Sequence, residues 1–150
     1  MRIEETVTVR ASRARLWKLV GDPASYPEFL TGVTRCEPQN RGRPRRGAHY
    51  SIRMQVGAAQ VGGVIELVEY EKEHELAWVG VTGIEQRGRW RLRDVDGGTE
   101  AMLRLIVTVP GGLWGALADA LAAGIVRSQV RQGLENLGRT ASARPARSAR

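Results

Sequence analysis

Cysteine is nearly absent from this 150-residue sequence: Cys36 stands alone, so no internal disulfide can form, and no His/Cys cluster surrounds it. A reducing, cytosolic compartment fits, with Cys36 a buried or half-buried strand residue. Lysine is almost as scarce, Lys18 and Lys72 against 21 arginines, a ratio that resembles a GC-rich coding bias more than a selected phosphate site. Long apolar runs are missing too. The most apolar stretch, Leu113 to Val126, is interrupted by Asp119 and is too short to span a bilayer. The opening Met1-Arg2-Ile3-Glu4-Glu5 places charges where a signal peptide needs an apolar core. No GxxxxGK[ST] occurs, no Ser/His/Asp or Cys/His set can be assembled, and no metal-ligand spacing is present. Asp94-x-Asp96-Gly97 lacks the remaining ligands of a calcium loop, and a hairpin explains it. No cofactor and no metal are expected.

The charge that is present sits in two places. Arg41, Arg43, Arg45 and Arg46 share one Gly/Pro-containing loop, and Arg139, Arg144, Arg147 and Arg150 share an Ala/Ser/Pro tail. Removing these eight from the net +7 leaves −1, so the rest of the chain is close to neutral. Nucleic-acid binding needs a patterned basic face. The reading is therefore against a nucleic-acid partner, and peripheral membrane contact through loop 41–47 and the tail is the role left open to that charge. At 42% hydrophobic and 26% charged, the chain reads as one soluble globular domain with a core of its own.

Periodicity supplies the elements. Ile3, Val7 and Val9 alternate with polar residues from Arg2 to Arg10, which is a half-buried strand. Ser12 suits an N-cap, and Leu16, Trp17, Leu19 and Val20 give a short helix its apolar side. Asp22-Pro23 restarts the chain as a second helical turn, which Pro27 keeps short. Strands follow over Thr31–Pro38, His49–Val56, Val61–Tyr70, Leu76–Val81 and Gln86–Arg93. Asp94 to Gly98 makes a hairpin connection, and Ala101, Leu103, Leu105, Val107 and Val109 line one face of a final strand. After Pro110-Gly111-Gly112 a helix runs from about Leu113 to Leu137. Its first half is apolar at Leu113, Leu117, Leu121 and Ile125, and its second at Val126, Val130, Leu134 and Leu137. At ~100° per residue the two sets lie on nearly opposite sides, which predicts a bend or a change of packing partner near Gly124. The domain is expected over 1–138, with 139–150 a disordered basic tail. This order predicts an α+β architecture: a curved antiparallel sheet wrapped around a long C-terminal helix, with two short helices after strand 1.

Several of these segments resemble a known family. Val7-Thr8-Val9-Arg10-Ala11-Ser12 with Leu16-Trp17, then Asp22-Pro23-Ala24-Ser25-Tyr26-Pro27-Glu28-Phe29-Leu30-Thr31-Gly32-Val33, are similar to the opening of polyketide cyclase/dehydrase and START-related proteins, the SRPBCC superfamily. The second motif is nearly that of its coenzyme Q-binding branch. Gly97-Gly98-Thr99 and Leu134-Glu135-Asn136-Leu137 also match, so the resemblance spans about residues 3 to 138. It implies a helix-grip fold with a cavity between sheet and last helix. It does not choose among cyclases, dehydratases and lipid carriers.

Candidate cavity residues follow from the strand faces and the helix. Tyr50, Met54, Trp78, Trp90 and Leu103 fall on faces expected to be concave. Trp114, Leu117 and Leu121 fall on the helix half expected to close over them. The resemblance puts Tyr26 and Phe29 near the pocket mouth, while Trp17 reads as core. The same side chains could equally fill the interior, because pockets and cores share composition. Glu66 lies among apolar neighbours with its direction unresolved, and an inward Glu66 would be a candidate acid. His49 reads as exposed, His74 sits in an acid-rich turn, and the Arg87, Arg89, Arg91, Arg93 row alternates outward against Trp90 and Leu92. The sequence thus points to binding or carriage of a hydrophobic or aromatic small molecule, such as a lipid, isoprenoid or polyketide-like ligand. The alternative is a polyketide cyclase/dehydratase, which would need ionisable groups converging in the cavity.

Overall fold

The computed structural model describes residues 1–108 and 113–142, with side chains described outside 113–119. Seven strands, β1 (Arg2–Val9), β2 (Val33–Pro38), β3 (His49–Val56), β4 (Ala59–Glu71), β5 (Glu75–Gly83), β6 (Glu85–Val95) and β7 (Gly98–Thr108), form one antiparallel sheet in the order β1-β7-β6-β5-β4-β3-β2. It curls into a half-barrel against the helices, the helix-grip architecture expected from the order of segments.

Local chemistry sets the helical part. The Ser12 hydroxyl accepts from the Arg15 N–H and opens α1 (Arg13–Val20). Asp22 caps a 3₁₀ turn at Pro23–Ser25, which runs into α2 (Tyr26–Phe29). The carbonyls left over at the end of α1 are then used. Ser25 donates to Leu19 O at 2.6 Å and Tyr26 donates to Val20 O at 2.8 Å, so the two short helices are locked together from inside the core.

The faces of the sheet follow the period of two where the ladder is regular. Tyr50 and Ile52 are buried, as are Leu76, Trp78, Trp90, Leu92, Ala101 and Leu103. Outward arginines pair across strands: Arg89 with Glu69 at 2.7 Å, Arg93 with Glu100 at 2.8 Å, Arg104 with Glu4 at 2.8 Å, and Arg91 with Glu75. Strand β4 breaks the period, with register shifts at Val64/Ile65 and Leu67/Glu69. Close by, backbones approach tightly. A Cβ on Gly83 would lie 2.1 Å from Gly62 O, and Gly83 has φ +79°, so only glycine fits this corner.

The last helix, α3 (Leu113–Ser142), is continuous. The change anticipated near Gly124 is one of packing: Leu121 is 66% and Ile125 40% exposed, whereas Val126 is 4% exposed. From there Val126, Val130, Leu134, Leu137 and Ala141 form a buried stripe, each larger aliphatic contributing roughly 1.5–3 kcal/mol of burial. Polar fastenings add to it: Gln129 Nε2 donates to Gln55 O at 2.7 Å, Asn136 Nδ2 to Phe29 O at 3.0 Å, and Arg131 meets Glu5 at 2.6 Å. The expected domain boundary at 138 falls too early, since the stripe carries the helix on to Ser142 with Ala141 fully buried. Residues 143–150 of the expected tail lie outside the described residues.

Candidate functional site

A cavity lies where the concave sheet meets the middle of α3. Tyr26 and Leu30 wall it from the α2 side, Ile52 and Met54 from β3, Trp78 from β5, Gln86 from β6, and Leu103 and Leu105 from β7. Val126, Gln129 and Val130 close it from α3, and Thr31 to Val33 form the rim. It has about 40 Å³ of space for water centres, room for about three waters.

The wall is apolar with a few placed polar groups. Among the described lining residues the one ionisable side chain is Tyr26, whose hydroxyl is committed to Val20 O. Burial pushes its pKa well above the phenol range, reinforced by Cys36 and Tyr50 and opposed by the Trp90 indole N–H. Gln129 uses its amide N–H on Gln55 O. Gln86 accepts from the Trp78 indole N–H at 3.3 Å. Trp78 itself lies over Gly88, the residue facing it across the β5–β6 pair.

The expected site residues divide. Tyr26, Met54, Trp78 and Leu103 stand at the cavity wall. Phe29, Tyr50 and Trp90 point inward but are core, buried within an aromatic cluster or against it; Tyr26 packs on Phe29, Trp78 and Trp90 with ring centroids 5.8, 6.1 and 6.3 Å apart. Glu66 is corrected: it lies between Ile65 and Leu67, which both point into the core, and opposite His49 in the regular β3–β4 ladder, so it faces outward and meets His49 at 3.1 Å. Leu121 is corrected as well, because the second half of α3 carries the packed stripe and leaves Leu121 in solvent. Trp114 and Leu117 have side chains outside the described residues. The lining also contains Gln86, Gln129 and Val130, which the sequence reading does not include among the site residues. Gln86 had a signal: it is a polar residue in the inward phase of Trp90 and Leu92.

Among the described residues there is no group of His, Cys, Asp and Glu able to hold a metal ion, and no helix long and apolar enough to cross a membrane.

The model of the family described as polyketide cyclase/dehydrase and lipid transport matches residues 1–142. The chain belongs to this family. Solved structures agree on the fold. The Zhui aromatase/cyclase from a Streptomyces species superposes with a TM-score of 0.80 at 18% identity, covering 99% of this chain and 97% of that one. A protein from Thermus thermophilus gives 0.83 at 18% identity, with 97% and 99% covered. A START superfamily protein from Mycobacterium smegmatis gives 0.62 at 19% identity, with 87% and 97% covered. Among curated proteins none matches the chain in sequence. For this polyketide cyclase/dehydrase and lipid transport family member, the sequence resemblance and the helix-grip fold are thus established together.

Proposed function

We propose that this protein binds and carries a hydrophobic, ring-containing small molecule in the cavity between the sheet and α3. The observation that carries the reading is the wall itself: aromatic and aliphatic side chains from every layer of the fold converge there with two amides. Family membership supports it, since the family's description includes lipid transport. A ligand-sized cavity, typically about 300–1,000 Å³, is roughly 7 to 25 times the present 40 Å³. Uptake therefore enlarges it. Among the described residues of α3, Leu121 and Ile125, just before those that close the cavity, bury little, so enlargement on that side displaces the least packing.

The cyclase/dehydratase reading draws on the family's description and on the Zhui aromatase/cyclase likeness. It asks for an acid and a base beside the substrate. Tyr26, hydrogen-bonded to a backbone carbonyl and held protonated, is a poor base, which favours carriage.

Native mass spectrometry of protein purified from its host, with thermal melts against lipids, quinones and aromatic ketones, tests the proposal. One apolar molecule per chain and a raised melting temperature are expected, with both lost in a cavity-filling Met54→Trp variant. A protein that takes up nothing to the solubility limit of every compound overturns it.

A further inference from the structure

A hydrogen-bond donor left uncommitted at the wall of an apolar cavity is available to whatever enters, and is costly to cover with a group that cannot accept from it. Gln86 is 5% exposed and lines the cavity. Its amide has a fixed orientation. The Trp78 indole nitrogen can only donate, so the Gln86 group 3.3 Å from it is the carbonyl oxygen. The amide nitrogen is thereby turned to the other side, where no hydrogen-bond partner stands among the described residues. The other buried polar groups at the wall are occupied: Tyr26 donates to Val20 O, and Gln129 donates to Gln55 O.

The orienting residue is itself held. The Trp78 ring lies across Gly88 so closely that a Cβ there would be 2.0 Å from Cζ2. Backbone thus fixes Trp78, and Trp78 fixes the Gln86 amide, leaving its N–H uncommitted at the cavity wall. We propose that Gln86 is a specificity-determining donor that selects apolar ring ligands bearing a carbonyl oxygen over their hydrocarbon counterparts. Trp78 is the positioning residue for that selection. The inference rests on the cavity being a binding site. A site built to hydrogen-bond one group discriminates against the analogue lacking it, because the donor is then left buried and unpaired.

The test uses 1-tetralone and tetralin, which differ by one carbonyl at nearly equal size, titrated by calorimetry and tryptophan fluorescence. The measured quantity is the ratio of the two affinities in the full-length protein. In the unaltered protein that ratio is expected to favour the ketone. Gln86→Met, which keeps length and removes the donor, is expected to lower the ratio by about tenfold, mainly by weakening the ketone. Trp78→Phe keeps an aromatic ring but frees the amide to turn, and is expected to lower the ratio while still binding tetralin. Thermal melts confirm that each variant is folded. Binding of both compounds with a ratio that neither substitution changes overturns the role of Gln86 and leaves the cavity reading intact. Binding of neither compound overturns the cavity reading and this inference with it.

Discussion

Replacing Gly88 with alanine puts the smallest side chain where the fold has left no space. Built on the backbone, the new Cβ lies 2.0 Å from Trp78 Cζ2 and 2.3 Å from Cε2. Ordinary contact begins near 3.4 Å, so the indole must retreat by about 1.4 Å. Its bond to Gln86, already 3.3 Å, then stretches out of hydrogen-bond range. Overpacking of this kind costs about 1–3 kcal/mol and the lost bond about 1 more. The alanine returns about 0.5–1 kcal/mol through a less flexible unfolded chain. The expected net loss is about 1–3.5 kcal/mol, or roughly 2–14 °C in melting temperature for a domain of this size.

Urea denaturation followed by tryptophan fluorescence reads the change, and Gly124→Ala is its internal control. Gly124 lies in α3 with nothing within 4 Å of its built Cβ, so alanine there should stabilise by about 0.5–1 kcal/mol. The two glycines thus predict opposite signs from the same substitution. A Gly88→Ala protein within about 0.5 kcal/mol of the unaltered chain would refute the seating of Trp78, and with it the fixed orientation of Gln86.

The two halves of α3 should also respond differently. Val130→Ala, in the buried stripe, is expected to cost about 1–3 kcal/mol in urea melts, and Leu121→Glu less than about 0.5 kcal/mol; equal losses would refute the asymmetry. Burial holds the Cys36 thiol up at about 12, with Asp22 and Glu37 adding to it, and lifts Tyr50 to about 12 as well. Folded protein therefore retains protons that the unfolded chain releases, and stability is full below about pH 9 and falls as pH rises toward 12. Between about pH 8 and 10.5 Cys36 accounts for about 2 kcal/mol of that loss, and Cys36→Ala should flatten the urea midpoint over this interval; an unchanged slope would refute it.

Strand faces were legible because side chains alternate. Trp90 and Leu92 against the arginine row, and Tyr50 and Ile52 against His49 and Ser51, needed no tertiary information. Glu66 was not legible, since Val64, Ile65, Leu67 and Val68 are all apolar, and the bulge that takes Val68 out of phase leaves no mark in the residue types. Periodicity also says which face a residue occupies and nothing about its depth along the sheet. Trp78 and Trp90 share an inward face, yet one lines the cavity and the other is sealed in the core against Tyr26 and Phe29. That difference is set by where α3 crosses the strands. Leu121 and Ile125 are as apolar as Val126 and Val130, so residue type alone could not choose the pair that packs.

The position of that choice bears on how the cavity works. Val126 and Val130, which close it together with Gln129, are the first buried apolar residues of α3 among those described. Lifting the helix beyond them would expose Leu134, Leu137 and the Val126–Val130 pair, at roughly 1.5–3 kcal/mol each, a sum close to the whole stability of an ordinary domain. Moving the helix before them disturbs Leu121 and Ile125, which already face solvent. Among the described residues, enlargement of the cavity toward Leu121 and Ile125 therefore displaces the least packing, and the fastenings at Gln55, Phe29 and Glu5 hold the second half of α3 in place.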